Sequence, residues 1–523
     1  MNSKLTVNAG VRWDIMVPFT EANDNIVFMN PAVLEPSAGN IAGGATKLGH
    51  CTGCSGYDRA DIHWGYFGPR LGLAYMINDK TVVQVGGFLS FLQGGAYEFG
   101  TANVASAMAN LLVGEFNRSG TGSSTPGYGN WDATQLPSPP ATALTASIGN
   151  GNSINYFDRN RGIAPYDQAW NVTIQRQIPG NTILELSYVA NRAVHLPSNL
   201  NPMNQPSASI LQYGSLLSQP INSPAATAAG FKSPYPNFVN DFGGGATVFQ
   251  ALRPYPQYSN VQNLYDLAGS FSYNSLQAQV QKRFSNGLSY LSSLTLARGL
   301  SNSDRVFAAY FNTPLNKYDQ RPEYSVSNND QKYQVKLVGT YQFPAGKGQR
   351  FFNNSGFTGQ IFGGWQISAI LNYQGGTPFG PSESYMGLNG FNRPMAVPGA
   401  HISTSSYSLV RDYFLGKLAT PPKIFTTAAF TPTTSQYQLG NTSRNYAALR
   451  NSPYRDEDIS AMKRFSITDD VRASIRMDYF NALNRTQFYG PDTNILDSTF
   501  GEVTGQGSSL RNRQGQITLR VEF

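Results

Sequence analysis

The residues best spaced for chemistry are Cys51 and Cys54, in the run His-Cys-Thr-Gly-Cys that begins at His50, with His63 a short way on. A C-x-x-C pair acts in redox exchange when it opens a helix after a strand, and this stretch is glycine-rich loop. A metal site completed by His50 or His63 is a second reading. A small disulfide pinning a loop in an oxidising compartment is the expectation that best suits the surroundings. The remaining histidines, His195 and His401, fall in expected loops or strand ends, and no H-E-x-x-H spacing occurs. Neither a G-x-S-x-G elbow nor a phosphate loop is present; Gly346 and Lys347 sit in an expected turn without the rest of that motif. Carboxylates cluster at Asp456, Glu457 and Asp458 and again at Asp469 and Asp470. Such groups could serve glycoside chemistry or hold calcium, but at strand ends they read as solvated charges, the second pair within a tight turn. The sequence therefore predicts no catalytic site, no cofactor and no enzyme.

What must position these residues is a series of alternating segments. Leu5, Val7, Ala9, Val11 and Trp13 alternate with Thr6, Asn8, Gly10, Arg12 and Asp14, which is the period of a strand with one apolar and one polar face. The same pattern recurs in GYFGPRLGLAYMIN, DKTVVQVGGFLSFLQ, PYDQAWNVTIQRQI, NTILELSYVANRA, YNSLQAQVQKRF, GLSYLSSLTLARGL, QKYQVKLVGTYQF, GGWQISAILNYQGG, RDEDISAMKRFSI and DVRASIRMDYFNAL. Tight reversals are expected at Asn78–Asp79, at Pro179 and Gly180, at Ser285, Asn286 and Gly287, and at Thr468 and Asp469. The last strand closes the chain: Ile517, Leu519, Val521 and Phe523 alternate with Gln516, Thr518, Arg520 and Glu522.

This makes about twelve strands, each long enough for a tilted crossing of a hydrocarbon layer, which takes roughly 9 to 11 residues. Their connections alternate between short turns, with one medium linker over 344–362, and long structureless loops over 15–64, 94–164, 194–270, 301–330, 377–454 and 483–512. A compact soluble domain seldom carries six such loops, whereas a transmembrane barrel has tight turns at one end and long loops at the other. Counting back from a periplasmic C-terminus puts every long loop outside the cell. Composition agrees: charged residues are 13% and aromatics 12%, with 29 Tyr and 31 Phe in 523 residues. No apolar run reaches the ~18 residues of a spanning helix. A net charge of +7, spread without a basic tract, suits lipopolysaccharide and gives no footprint for nucleic acid. Arg12, Arg283 and Arg520 fall on the polar register, with Gln277, Gln279 and Gln281 beside Arg283; on the lipid face an arginine could cost about 2–4 kcal/mol. Trp13, Trp64, Trp170 and Trp365 lie near strand ends, where a membrane interface would hold their rings.

These segments resemble the Oar-like TonB-dependent outer-membrane receptors. The runs that carry the likeness are LTVNAGVRWD, FGPRLGLAY with TVVQVGGF, YDQAWNVTIQRQI with LELSYVANRAVHL, YNSLQAQVQKRFSNGLSY, GGWQISAILNYQGGTPF and DISAMKRFSITDDVRASIRMDYFNALNRTQF, in the family's order. The resemblance implies an all-β, antiparallel transmembrane barrel of 22 strands around a plug, of which residues 1–523 would be the C-terminal part. Signal peptide, N-terminal sandwich domain, plug and first strands would then lie upstream, and coupling to a TonB-type protein would run through that missing plug. It implies capture of a ligand by the long loops and its passage along the lumen, with the ligand-binding residues unknown. It also implies that Ile517, Leu519, Val521 and the terminal Phe523 are read by the barrel-insertion machinery. The Phe480–Asn484 segment, FNALN, is a family marker, its Phe and two Asn expected at the rim to fix the loop's departure. Rival expectations are a surface-binding or adhesion barrel without active transport, a soluble secreted β-protein, and a passive porin.

Overall fold

A computed structural model describes residues 4–18, 20, 27–92, 149–156, 158–160, 163–264, 266–306, 309–311, 313–354, 356–468, 471–507 and 512–523. All twelve expected strands form: β1 Leu5–Asp14, β2 Tyr66–Asn78, β3 Thr81–Phe91, β4 Tyr166–Ile178, β5 Thr182–Leu196, β6 Gly269–Ser285, β7 Leu288–Ser301, β8 Tyr333–Gln342, β9 Trp365–Gln374, β10 Tyr454–Ser466, β11 Arg472–Phe480 and β12 Gln514–Glu522. They lie side by side in chain order in one antiparallel sheet, which a two-residue strand, Ser325–Val326, also joins beside β7. Among the described residues β1 pairs only with β2 and β12 only with β11, so the sheet is open at both edges.

The register shows why a chain with so few apolar runs can face lipid. Residues directly opposite one another in adjacent strands point to the same side of a sheet, and moving one residue along switches sides. One row across eight strands reads Val7, Leu73, Val85, Val172, Tyr188, Leu276, Leu296 and Tyr333. The neighbouring row reads Thr6, Ala74, Gln84, Thr173, Ser187, Gln277, Thr295 and Gln334, then continues through Gln374 to Tyr454. The first row meets hydrocarbon and the second lines a hydrated interior. On β12 the apolar register is bare, Ile517 being 74% and Leu519 68% exposed. In water, so long an apolar face would be an association surface.

Tight turns close one end. In the β6–β7 turn Asn286 and Gly287 have φ of 52° and 79°, the pair of left-handed residues that a type I′ hairpin requires. A side chain at Gly287 would also run into the Gln342 carbonyl oxygen. The β4–β5 turn places Gly180 at φ 79° and Asn181 at φ 55°. Asp469 and Asp470, expected in the β10–β11 turn, lie outside the described residues.

The linker between β8 and β9 is more than a spacer. It carries a short helix, Phe357–Phe362, that resolves a misfit in the strand pattern. Lys463 falls on the apolar register of β10, opposite Ile475, where a bare ammonium would be costly. Its Nζ donates to the carbonyls of Gln360 at 2.5 Å, Ile361 at 2.7 Å and Gly363. These include the carbonyls a helix leaves unpaired at its C-terminus. The rings of Trp365 and Phe465 cover the same ammonium at 5.2 and 5.4 Å.

Candidate ligand-binding face

The expectation of structureless loops is corrected by the fold: where described, the long connections pack into a layer over one end of the sheet. Val27–Glu35 and Ile41–Lys47 form a hairpin that Ser153–Tyr156 and Asn260–Asn263 extend to four strands. Val27, Met29, Ile154, Tyr258 and Val261 are buried together between them. A larger cluster includes Ile210, Leu217, Tyr235, Phe238, Val248 and Leu388, and a third joins Phe379, Phe425, Phe430, Leu449 and Phe500. Most of the loop over 94–164, by contrast, lies outside the described residues. Burial raises the phenols of Tyr258 and Tyr407, and burial followed by the Asp241 carboxylate raises that of Tyr235. The Tyr258 hydroxyl donates to the Gly43 carbonyl at 2.8 Å and that of Tyr235 to Asp241 at 2.8 Å.

Buried ion pairs tie the loops to each other and to the strand ends. Glu323, wholly buried, accepts from Arg393 Nη2 at 2.6 Å and from the Leu315 amide at 2.9 Å. Arg444 pairs with Asp304 and donates to the Ser301 carbonyl at 2.8 Å. Arg450 Nη2 sits 2.7 Å from Asp330 Oδ2, an ion pair too oblique to count as a hydrogen bond. Asp330 Oδ1 meanwhile accepts from the Gly299 amide at 2.6 Å. The acidic run at the start of β10 belongs to the same scheme, which corrects its reading as solvated charge. Glu457 is 1% exposed and receives Arg485 Nε at 3.0 and 3.2 Å. Asp458 accepts from the Asn481 amide at 2.9 Å. Asn481 and Asn484, at φ 48° and 52°, turn the chain out of β11, and Asn481 Oδ1 accepts from the Arg485 amide at 2.6 Å. These contacts fix the loop's departure from the rim.

Under this layer, at the loop end of the polar face, lies a cleft of about 630 Å³. Its floor is polar-register wall: Phe271, Tyr273 and Gln277 from β6, Thr295, Ala297, Gly299 and Ser301 from β7, and Gln334 from β8. Its upper side is loop: Ser303, Asp304, Ser327, Asn329, Asp330 and Gln331. Both carboxylates are engaged by the arginines just described, so the groups left facing the space are hydroxyls, amides and two aromatic rings, with Leu196, Pro197 and Ala297 as the aliphatic part of the lining. Ser303 is 7% exposed, and its Oγ has no hydrogen-bond partner among the described residues. Sequence reasoning missed this cleft. The available signal was Phe271 and Tyr273 on the same register as the glutamines.

The residues singled out from the sequence do not converge. Cys51 and Cys54 are bonded to each other, Cα atoms 5.1 Å apart, in a turn where the Cys54 amide also donates to the Cys51 carbonyl at 3.0 Å. The His63 ring lies 6.1 Å from that of Tyr66 and the His195 ring 5.7 Å from that of Tyr166, while His401 is exposed in another loop. No group of three His, Cys, Asp or Glu side chains is placed to hold a metal among the described residues. Trp13 stacks on Phe67 at 5.7 Å and donates to the Trp64 carbonyl at 2.8 Å at the loop end, and Trp365 lies at the turn end. Ile517, Leu519, Val521 and Phe523 sit on or beyond the free-edge strand.

A single antiparallel sheet with one apolar and one polar face, short turns at one end and a folded loop layer at the other, defines an outer-membrane β-barrel protein. The chain belongs to the outer membrane beta barrel domain family, which it matches over residues 1–516. Among solved structures it is similar to the outer membrane transporter YddB from Escherichia coli, at 9% identity and TM-score 0.37 over 88% of this chain and 41% of that one. It is similar also to the FrpB iron transporter from Neisseria meningitidis, at 9% identity and TM-score 0.35 over 100% and 43%. The ferripyoverdine receptor of Pseudomonas aeruginosa matches at 10% identity and TM-score 0.32 over 92% and 34%. The chain thus spans roughly a third to two fifths of the length of these structures. No curated protein matches it.

Proposed function

We propose that this chain is the C-terminal part of the barrel of a TonB-dependent outer-membrane receptor that captures a ligand with its loop layer and passes it along the polar face. The observation that carries the reading is the joint placement of a folded loop layer, a polar cleft beneath it and a continuous polar wall below the cleft. That order suits stepwise passage from outside inward. In this reading the loop layer is extracellular, the C-terminus periplasmic, and a plug and coupling segment are supplied from outside these residues. The insertion machinery reads Phe523 with Val521, Leu519 and Ile517, and lipopolysaccharide surrounds the loop end. The Cys51–Cys54 disulfide tightens one loop and does no chemistry.

A surface-binding or adhesion barrel is the second reading, because a loop layer locked by buried ion pairs would serve display as well as capture. Uptake separates the two. Cells bearing the complete receptor should accumulate its ligand only while the proton-motive force is intact; binding that persists with no energy-dependent accumulation would favour adhesion.

A further inference from the structure

We propose that the cleft beneath the loop layer is a subsite for an uncharged, polyhydroxylated ligand, an oligosaccharide of on the order of three sugar rings. The proposal deepens the receptor reading and rests on it for the direction of travel, but not for binding.

Three observations carry it. The first is the aromatic floor. Phe271 and Tyr273 are two apart on β6 and so share the polar face. Gly299 lies directly across from Tyr273, and a Cβ there would meet the Phe271 ring at 3.5 Å. The glycine therefore leaves the space beside that ring open, and an exposed ring face is the surface on which the C–H edge of a sugar packs. The second is the kind of polar group on the rim. Gln277, Gln331, Gln334 and Asn329 carry amides that both donate and accept, which matches a hydroxyl that does the same. Gln277 donates to Ser275 at 3.1 Å, Gln331 to Gln374 at 3.2 Å and Gln334 to Gln331 at 2.6 Å, and each of these NH2 groups has a second N–H for a ligand. Ser303 adds a buried Oγ whose hydrogen bond is unmade among the described residues, a position a ligand hydroxyl would satisfy. The third is charge. Asp304 and Asp330 are neutralised by Arg444 and Arg450, and among the described residues no unpaired cation lines the cleft. An anionic ligand finds no counter-charge there, and a cation finds its carboxylates already taken.

The test is equilibrium binding to the complete receptor in detergent, its folded state checked by heat-modifiable mobility. Cellotriose, xylotriose, maltotriose and N-acetylchitotriose would be titrated alongside an uncharged tripeptide and an iron(III) trihydroxamate. At least one trisaccharide should bind and its fully O-methylated counterpart should not, a comparison that needs no variant. Tyr273→Ala, and Gly299→Leu, which fills the space beside Phe271, should each weaken binding by about tenfold or more. Ser303→Ala should weaken it a few-fold, and Tyr318→Ala, exposed and outside the cleft, should leave it unchanged. Absence of trisaccharide binding to the folded receptor would overturn the proposal, as would full affinity in both Tyr273→Ala and Gly299→Leu. Binding of the tripeptide or the hydroxamate alone would overturn the ligand class and leave the receptor reading standing. Trisaccharide binding without energy-dependent uptake in cells would uphold the subsite and remove transport.

Discussion

Replacing Glu323 with alanine should open the loop layer without unfolding the sheet. The carboxylate is fully buried, pairs with Arg393 at 2.6 Å and accepts the Leu315 amide at 2.9 Å, and Arg393 is itself only 7% exposed in its side chain. Removing one partner leaves a buried guanidinium without its counter-charge, a change that typically costs about 3–5 kcal/mol. At about 1.4 kcal/mol per tenfold, the opening equilibrium of residues 313–330 and 376–453 should rise by roughly two to three and a half powers of ten. Hydrogen exchange at the Leu315 amide and across those segments reads this directly, since local opening sets amide protection. Strands β6 to β9 should keep their protection, and the complete receptor its heat-modifiable mobility. A second variant sharpens the inference: Glu323→Leu with Arg393→Met removes both charges and should restore most of the loss, because a buried pair is often replaceable by apolar groups of similar volume. Protection in Glu323→Ala within about tenfold of the parent, in the terms of that same conversion, would refute the claim that this pair locks the layer.

Two further outcomes are expected. Deleting Phe523, or replacing it with Asp, should lower the amount of heat-modifiable barrel in outer-membrane fractions while synthesis stays constant; an undiminished folded fraction would remove the assembly role from the C-terminal residues. The buried tyrosines set a pH response with a definite sign. Phenols raised by burial, as in Tyr258 and Tyr407, and by burial with Asp241, as in Tyr235, stabilise the layer fully below the unfolded value of about 10. That stability is lost as pH climbs from there through the raised folded values. Phenolate absorbance should therefore rise in two phases, the later one coinciding with loop opening by limited proteolysis; a single phase near pH 10 with the loops intact would contradict the burial of these rings.

The strands were legible because a two-residue period survives in the sequence and because Asn286–Gly287 and Pro179–Gly180 announce their turns locally. The loops were not, since their order comes from contacts between distant residues. Val27 is buried with Tyr258, and Arg393 finds Glu323 70 residues away; neither leaves a periodic trace. Glu457 was misleading in a different way, and Lys463 is a second case of the same kind. Both are charged residues on the apolar register of β10, and each is accommodated by a group outside the strand, Arg485 for one and the carbonyls around Ile361 for the other. A charge in an apolar register is itself a signal that some neighbouring segment must fold back to cover it. The cleft was hidden for the reason the loops were: the Asp304 and Asp330 carboxylates in its lining are held by Arg444 and Arg450, more than a hundred residues on.

The most direct test of the account is the placement of its two ends across the outer membrane. A single cysteine introduced at Met386, exposed in the loop layer, and another at Lys347, in the turn-end linker, would be exposed to a membrane-impermeant maleimide on intact cells producing the complete receptor. The account predicts labelling at position 386 in intact cells, and at position 347 only after the outer membrane is permeabilised. Labelling at 347 in intact cells, or at 386 only after permeabilisation, would contradict a barrel that presents its folded loops to the outside.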